Sequence, residues 1–161
     1  MALALGMALS ACAASGRIEN GVFYSPKGYH VQLPREGWRV EAGGQADLEL
    51  RRQAPPGGML ADATCDGREA GRTPQLLARH LTFGLEHRDT LESAQTEVGG
   101  REAVRTVVRG AAGGAEVTVE AVVLKGERCV YDFLYVAPAD AFEAGRGDFQ
   151  ALVESFAGEA R

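Results

Sequence analysis

Alternating apolar and polar residues predict β-strands along most of the chain. Tyr29 and Val31 alternate with polar residues directly after a turn at 25–28, as in a hairpin with one buried face. The same period of two returns at 48–50 and again at 59–65. The first part of the domain is therefore predicted to be a hairpin followed by two strands.

Two segments change to the helical period. Thr73 has the chemistry of an N-cap and Pro74 suits the first helical position, so a helix is predicted over 73–88. Apolar residues at 149, 152, 153 and 156 follow the i, i+3, i+4, i+7 spacing of an amphipathic closing helix. The chain should therefore contain one central and one terminal helix.

Between the helices, four strands are predicted at 91–98, 102–109, 116–125 and 128–136. The last two are apolar at nearly every position, which is typical of central strands covered on both faces. These elements predict an α+β fold over residues 22–161, with an antiparallel β-sheet sandwiched between helices.

The N-terminus has the pattern of an export signal. Residues 2–9 are apolar but too few to span a bilayer, and the following LSAC at 9–12 resembles the lipobox of bacterial lipoproteins. This resemblance implies a signal peptide at 1–11, a diacylglycerol thioether on Cys12, a fatty acid such as palmitate on the new amino group, and a tether at 12–21. The alternative is a hydrophobic first helix or strand with an ordinary buried cysteine.

The net charge and the lipobox restrict the partners and the location of the protein. The net charge of −5 argues against a nucleic-acid partner, which requires a basic surface. The lipobox implies a membrane anchor at the cell envelope and a domain facing the periplasm. Ala13, in place of an aspartate, favours the outer membrane over the inner one.

The three cysteines divide into one and two. If Cys12 carries lipid, Cys65 and Cys129 remain, and both lie on apolar strand faces. Disulfides persist in oxidising compartments, and neighbouring strands bring Cα atoms to the spacing that a disulfide needs. We expect a Cys65–Cys129 disulfide; the alternative is two buried free thiols.

Three stretches resemble the PsbP-like family, which includes an extrinsic photosystem subunit and bacterial lipoprotein relatives. They are FYSPKGYHVQLP at 23–34 with Trp38 after it, GGREA at 99–103, and CVYDF at 129–133 leading into the closing helix. The resemblance implies an α/β/α sandwich and, for most members, a role as a binding or assembly module.

Aromatic and acidic residues supply the candidate sites. Trp38, Tyr131 and Tyr135 could line a ligand pocket between sheet and helix, although aromatics at period two are usually core. Asp132 lies inside an apolar strand, so it is an acid with a perturbed pKa, is paired with an arginine such as Arg105 or Arg109 across the sheet, or reaches an exposed face.

Catalytic and metal-binding motifs are not found. The serines have no nucleophile-elbow context, the glycine pairs have no phosphate-loop pattern, and His80 and His87 are seven residues apart, which is not a metal-ligand spacing. We therefore expect no enzyme activity, metal or cofactor.

The expected function is a non-enzymatic binding or assembly module for an envelope protein complex; the alternative is a small-molecule or lipid carrier accessory to an envelope transporter.

Overall fold

The computed structural model describes residues 16–158, which form eleven strands and two helices. The small sheet contains β1 (Arg17–Glu19), β2 (Val22–Tyr24), β3 (Tyr29–Gln32) and β11 (Ala157–Gly158). The large sheet contains β4 (Arg39–Val40), β5 (Leu48–Gln53), β6 (Pro56–Thr64), β7 (Glu86–Val98), β8 (Arg101–Ala112), β9 (Ala115–Lys125) and β10 (Val130–Pro138). The helices are α1 (Pro74–Leu81) and α2 (Glu143–Glu154).

Both sheets are antiparallel throughout. The small sheet has the order β1-β2-β3-β11, and the large sheet has the order β4-β5-β6-β10-β9-β8-β7. The pairing of β10 places Phe133 opposite Ala61 of β6 and Val122 of β9. The prediction that the two most apolar strands are central is therefore confirmed.

Side chains alternate between two faces of the large sheet, which we name by their residues. The front face carries Ala61, Val122 and Phe133 and is covered by the small sheet and α2. The back face carries Val104, Val123 and Val130 and packs against Leu77 and Ala78 of α1.

The expected sandwich of one sheet between helices is wrong. The described chain is 52% strand and has two sheets with only two short helices. The hairpin of β2 and β3 does not extend the large sheet; it pairs with β1 and β11 and covers the front face itself. The physical reason is that inward-facing Phe23, Tyr29 and Val31 bury their apolar area against the sheet, where a helix was expected.

The central helix begins as predicted but ends early. The hydroxyl of Thr73 accepts a hydrogen bond from the backbone N–H of Leu76 at 3.3 Å, and Pro74 occupies the first turn. The helix ends at Leu81, and the chain re-enters the large sheet at Glu86 as the long edge strand β7. The prediction of a helix to residue 88 was therefore wrong, because the last part of that segment pairs with β8.

The start of the described chain bears on the predicted anchor. β1 lies inside the 12–21 segment that was expected to be a tether, and its Arg17 pairs with Tyr24. Cys12 and the predicted signal at 1–11 lie outside the described residues. Among residues 16–158, neither helix has the length and apolar character needed to cross a bilayer.

Candidate functional site

The predicted ligand-binding aromatics lie mainly in the core. Tyr131 and Tyr135 are both 0% exposed, and the Tyr135 hydroxyl donates to the carbonyl of Phe142 at 2.9 Å. Trp38 is half-buried and contacts Tyr135 edge to face, with ring centroids 6.3 Å apart. The tyrosine rings therefore fill the space in which a pocket was expected.

The predicted disulfide is present. Cys65 and Cys129 are bonded, with their Cα atoms 4.1 Å apart. The bond lies one residue beyond the pairing of Thr64 with Val130, so it joins the end of β6 to the start of β10. It encloses a 64-residue separation, which the loop-entropy relation values at about 4 kcal/mol.

An open cleft of about 630 Å³ lies beside α2 and the segment that follows β3. It is lined by Gln32, Leu33, Pro34, Arg35, Glu36, Arg52, Asp148, Ala151 and Leu152. Trp38 is connected to this cleft through Asp148, whose Oδ2 accepts from Trp38 Nε1 at 2.9 Å. The predicted pocket residue therefore supports the wall of a surface cleft.

Arg52 is the most buried charged side chain at this cleft and is only 8% exposed. Its Nε donates to the carbonyl of Pro55 at 2.9 Å, its Nη1 donates to Asp148 at 3.3 Å, and its guanidinium stacks on the Trp38 ring at 4.6 Å. Its Nη2 is buried beside Gly145 and has no hydrogen-bond partner among the described residues. Because Nη1 is held by the carboxylate of Asp148, an anionic ligand in the cleft could compete with Asp148 for this group.

Glu120 is a buried charge that the sequence analysis missed. It is 0% exposed on the front face of β9, where its Oε2 accepts from Arg146 Nε at 3.0 Å and its Oε1 accepts from Arg105 Nε at 2.5 Å. Arg146 also donates twice to Glu92, at 2.9 and 3.0 Å, and this hydrogen bonding holds the pKa of Glu92 below its ordinary value. The two arginines and two glutamates link α2 to β7, β8 and β9.

The sequence carried one signal for this network. Glu120 interrupts the apolar run of β9, and its position has the parity of Val122 and Leu124, which face the front core. Arg105 was expected as a candidate partner of Asp132, but it lies on the front face and pairs with Glu120. The alternation of side chains along β8 does not by itself show which carboxylate Arg105 contacts.

Asp132 lies on the back face, where no cation of residues 16–158 forms an ion pair with it. It is directly opposite Asp62 in the pairing of β10 with β6, and its Oδ1 is buried without a hydrogen-bond partner. Burial, followed by the nearby charges of Asp62 and Glu69, raises the pKa of Asp132 to about 7. Of the three outcomes expected for this residue, the raised pKa agrees with the perturbed acid, and neither Arg105 nor Arg109 is paired with it.

Lys27 forms ion pairs with two nearby acids, Asp47 and Asp62. Its Nζ lies 2.7 Å from Asp47 and 3.0 Å from Asp62, while the hydroxyl of Tyr29 donates to Asp47 at 3.0 Å. These contacts fix the turn between β2 and β3 on the end of β6. Within the described part of the chain, no three His, Cys, Asp or Glu side chains are placed to hold a metal ion.

The outer side of α1 carries exposed apolar side chains next to arginines. Leu76 is 39% exposed and Phe83 is 55% exposed, with His80 between them. We name this surface the α1 patch and define it as Arg72, Leu76, Arg79, His80, Phe83 and Arg88. It lies on the side of the helix opposite Leu77 and Ala78, which face the sheet.

Comparison with known proteins identifies the fold only. No protein-family model matches the chain, and no curated protein matches it. Among solved structures, it is similar to cyanobacterial PsbP (CyanoP) of Synechocystis sp. PCC 6803, with 15% identity, a TM-score of 0.61, and 96% of this chain and 99% of that one covered. The resemblance to the PsbP-like fold is therefore supported.

Two further structures have the same arrangement. LpqN of Mycobacterium tuberculosis, a protein involved in cell envelope biogenesis, has 16% identity and a TM-score of 0.58, with 82% of this chain and 84% of that one covered. PA94 of Pseudomonas aeruginosa, described as a putative regulator, has 10% identity and a TM-score of 0.55, with coverage of 82% and 92%. At these identities the likeness concerns the fold alone.

Proposed function

We propose that this protein is a non-enzymatic docking module that is anchored to the cell envelope by lipid on Cys12 and binds an envelope protein complex from the periplasmic side. The observation that carries the proposal is the filled interior. Tyr131, Phe133 and Tyr135 are all 0% exposed and pack against α2 and the small sheet. A carrier built on these aromatics would need a cavity there, whereas a docking module needs only a stable surface.

Fold and sequence pattern support the location. LpqN, which shares the fold, is involved in cell envelope biogenesis. The lipobox at 9–12 supplies the anchor, and Ala13 favours the outer membrane. An acyl chain on the amino group and two on the thioether give stable attachment, where a single chain is marginal.

One observation favours the carrier as a second candidate. The cleft at Arg52 is open, and its lining contains a nearly buried guanidinium that donates to the carboxylate of Asp148. A carrier of this kind would take a small ligand with an acidic group, held at the surface of the domain beside α2.

Affinity capture of the lipidated protein from membranes, with organic extraction of the eluate, separates the two. A docking module should retain a specific protein partner and no stoichiometric small molecule. An Arg52→Met variant is the matched control, because it removes the buried cation of the cleft and leaves the α1 patch unchanged. A stoichiometric ligand that is lost with Arg52→Met would overturn docking in favour of the carrier.

The anchor is tested by Cys12→Ser, with Ser15→Ala as the control in the same segment. The expected result is that Cys12→Ser loses the mass of the acyl groups and leaves the detergent phase, whereas Ser15→Ala keeps both properties. If Cys12→Ser remained membrane-bound at the mass of the parent protein, lipid on Cys12 would not be the anchor.

A further inference from the structure

The α1 patch joins apolar side chains into one exposed surface. Leu76, His80 and Phe83 follow the i, i+4, i+7 spacing, which places them on one side of α1 and its C-terminal turn. The rings of His80 and Phe83 are 4.8 Å apart, and the guanidinium of Arg88 lies over the Phe83 ring at 5.0 Å. Phe83 is the most exposed of the large apolar side chains in the described part of the chain.

The charge of the patch is opposite to that of the chain. Arg79 and Arg88 are exposed, and neither has a described carboxylate within ion-pair distance. Arg72 is paired with Glu69 at 3.0 Å and lies 3.5 Å from Nδ1 of His80. The chain as a whole carries −5, so the patch is a local concentration of positive charge. Its complement is an acidic surface.

The anchor restricts which acidic surface can reach the patch. Four residue steps separate Cys12 from Gly16, where the described chain begins, and they span at most about 14 Å. β1 belongs to the small sheet on the front face, whereas α1 covers the back face. Stacked sheets are about 10 Å apart and a helix is about 10 Å across, so the thickness of the large sheet and of α1 separates the patch from the small sheet. An anchor on Cys12 therefore favours an orientation in which the patch faces away from the membrane.

A second copy of the chain does not fit either. In a two-fold dimer the same surface meets itself, so Arg79 and Arg88 would oppose the arginines of the other patch. Like charges brought together across an interface cost several kcal/mol. Aromatic and arginine side chains, in contrast, are the residues enriched in the centres of interfaces between different proteins.

We infer that the α1 patch is the surface through which this protein binds its partner, and that the partner is a protein presenting an acidic surface with apolar side chains at its centre. The inference rests on the docking function proposed above and names the surface and the chemistry that perform it. Phe83 and Leu76 supply the apolar contact, and Arg79 and Arg88 supply the charge.

Site-specific photo-cross-linking in the native envelope tests this inference with the full lipidated chain. A benzophenone amino acid replaces Phe83 in one version and Val40 in the other; Val40 is 48% exposed and lies on β4, at the opposite edge of the large sheet. Each version is also made with Arg79→Glu plus Arg88→Glu. The matched charge control is Arg39→Glu plus Arg51→Glu, two exposed arginines near Val40.

The expected result is a protein adduct at position 83 and none at position 40. The Arg79→Glu plus Arg88→Glu pair should lower its yield by about tenfold or more, whereas the control pair should not change it. Mass spectrometry of the cross-linked peptide should show a net negative charge on the partner. Thermal unfolding confirms that the variants are folded.

Several outcomes would overturn the inference: a lipid adduct at 83, an adduct with a second copy, a partner peptide that is not acidic, or no adduct there. Adducts at position 40 alone would overturn the role of the patch but leave the docking function standing. Capture of a stoichiometric ligand in place of a protein would instead overturn the docking function itself. The two failures are therefore distinguishable.

Discussion

The front and back faces of the large sheet each bury one carboxylate, but in different electrostatic surroundings. Glu120 on the front face is fully buried and contacts two arginines, whereas Asp132 on the back face is less deeply buried and has two acids for neighbours. The pKa of Asp132 rises to about 7, which shows that facing charges add to the effect of burial. The faces also differ in cover: aromatic residues from the small sheet and α2 fill the front, and a helix of eight residues covers part of the back.

The largest expected effect comes from emptying the front core. Phe149 of α2 is fully buried and stacks with Tyr135, with ring centroids 5.8 Å apart. We expect Phe149→Ala to lower the free energy of unfolding by about 4 kcal/mol, because it removes buried apolar area and leaves a cavity. Urea unfolding measures this, with exposed Phe83→Ala as the control. A loss below that of the control would mean that α2 is not packed as described.

Breaking the front ion pairs should cost somewhat less. Glu120→Gln keeps the shape of the side chain but leaves Arg105 and Arg146 facing a neutral group, so we expect a loss of about 3 kcal/mol in urea unfolding at pH 7. Glu97→Gln, at an exposed position on β7, is the control. Equal stabilities of the two variants would contradict the structural role of the network.

The back core should respond more weakly than the front. Leu77 is the buried leucine of α1 and packs on Val104 and Val123. We expect Leu77→Ala to lower the free energy of unfolding by about 2 kcal/mol, at the low end for a buried leucine. The short helix α1 covers the back face alone, so it can move toward the sheet and partly close the cavity. Leu76→Ala, on the exposed side of the same helix, is the control. A cost exceeding that of Phe149→Ala would reverse the ranking of the two faces.

The smallest expected effect is a gain in stability, from replacing Asp132. Because the folded pKa of Asp132 is above the unfolded value, the protein loses stability from this group as pH rises from about 4 to about 7, and the loss is complete above pH 7. Asp132→Asn removes the ionisation, so we expect it to be about 1–2 kcal/mol more stable than the parent at pH 8 and to gain less at pH 5. Urea unfolding at both pH values measures this. A variant equally or less stable at pH 8 would show that Asp132 does not ionise unfavourably.

Local pattern predicted the elements that depend on neighbouring residues. Thr73 and Pro74 mark the start of α1, because capping and a fixed φ act within one turn. The hairpin of β2 and β3 and the central strands β9 and β10 follow from alternation and from their apolar runs. The end of α1 was missed, because the segment from 86 onward pairs with β8, a contact that helical periodicity does not report.

Only the tertiary structure shows how the two sheets pack and which carboxylate each arginine contacts. The hairpin pattern predicts that Tyr29 is buried but not what it packs against, so the pattern alone does not separate the small sheet from the large one. Arg105 could have paired with either carboxylate, and only its side of β8 selected Glu120. Likewise, the apolar residues of the 73–88 segment indicated a helix, but only the packing of Leu77 left Leu76 and Phe83 outside.

The sequence by itself therefore predicted the start of α1 and the central position of β9 and β10, favoured a Cys65–Cys129 disulfide over two free thiols, and showed that 9–12 has the pattern of a lipid-anchor site. The tertiary structure decided which faces are covered, which charges meet and which apolar residues remain exposed. The physical reason is range: capping, turns and alternation act over a few residues, whereas the pKa of Asp132 and the exposure of Phe83 depend on groups brought together from distant parts of the chain.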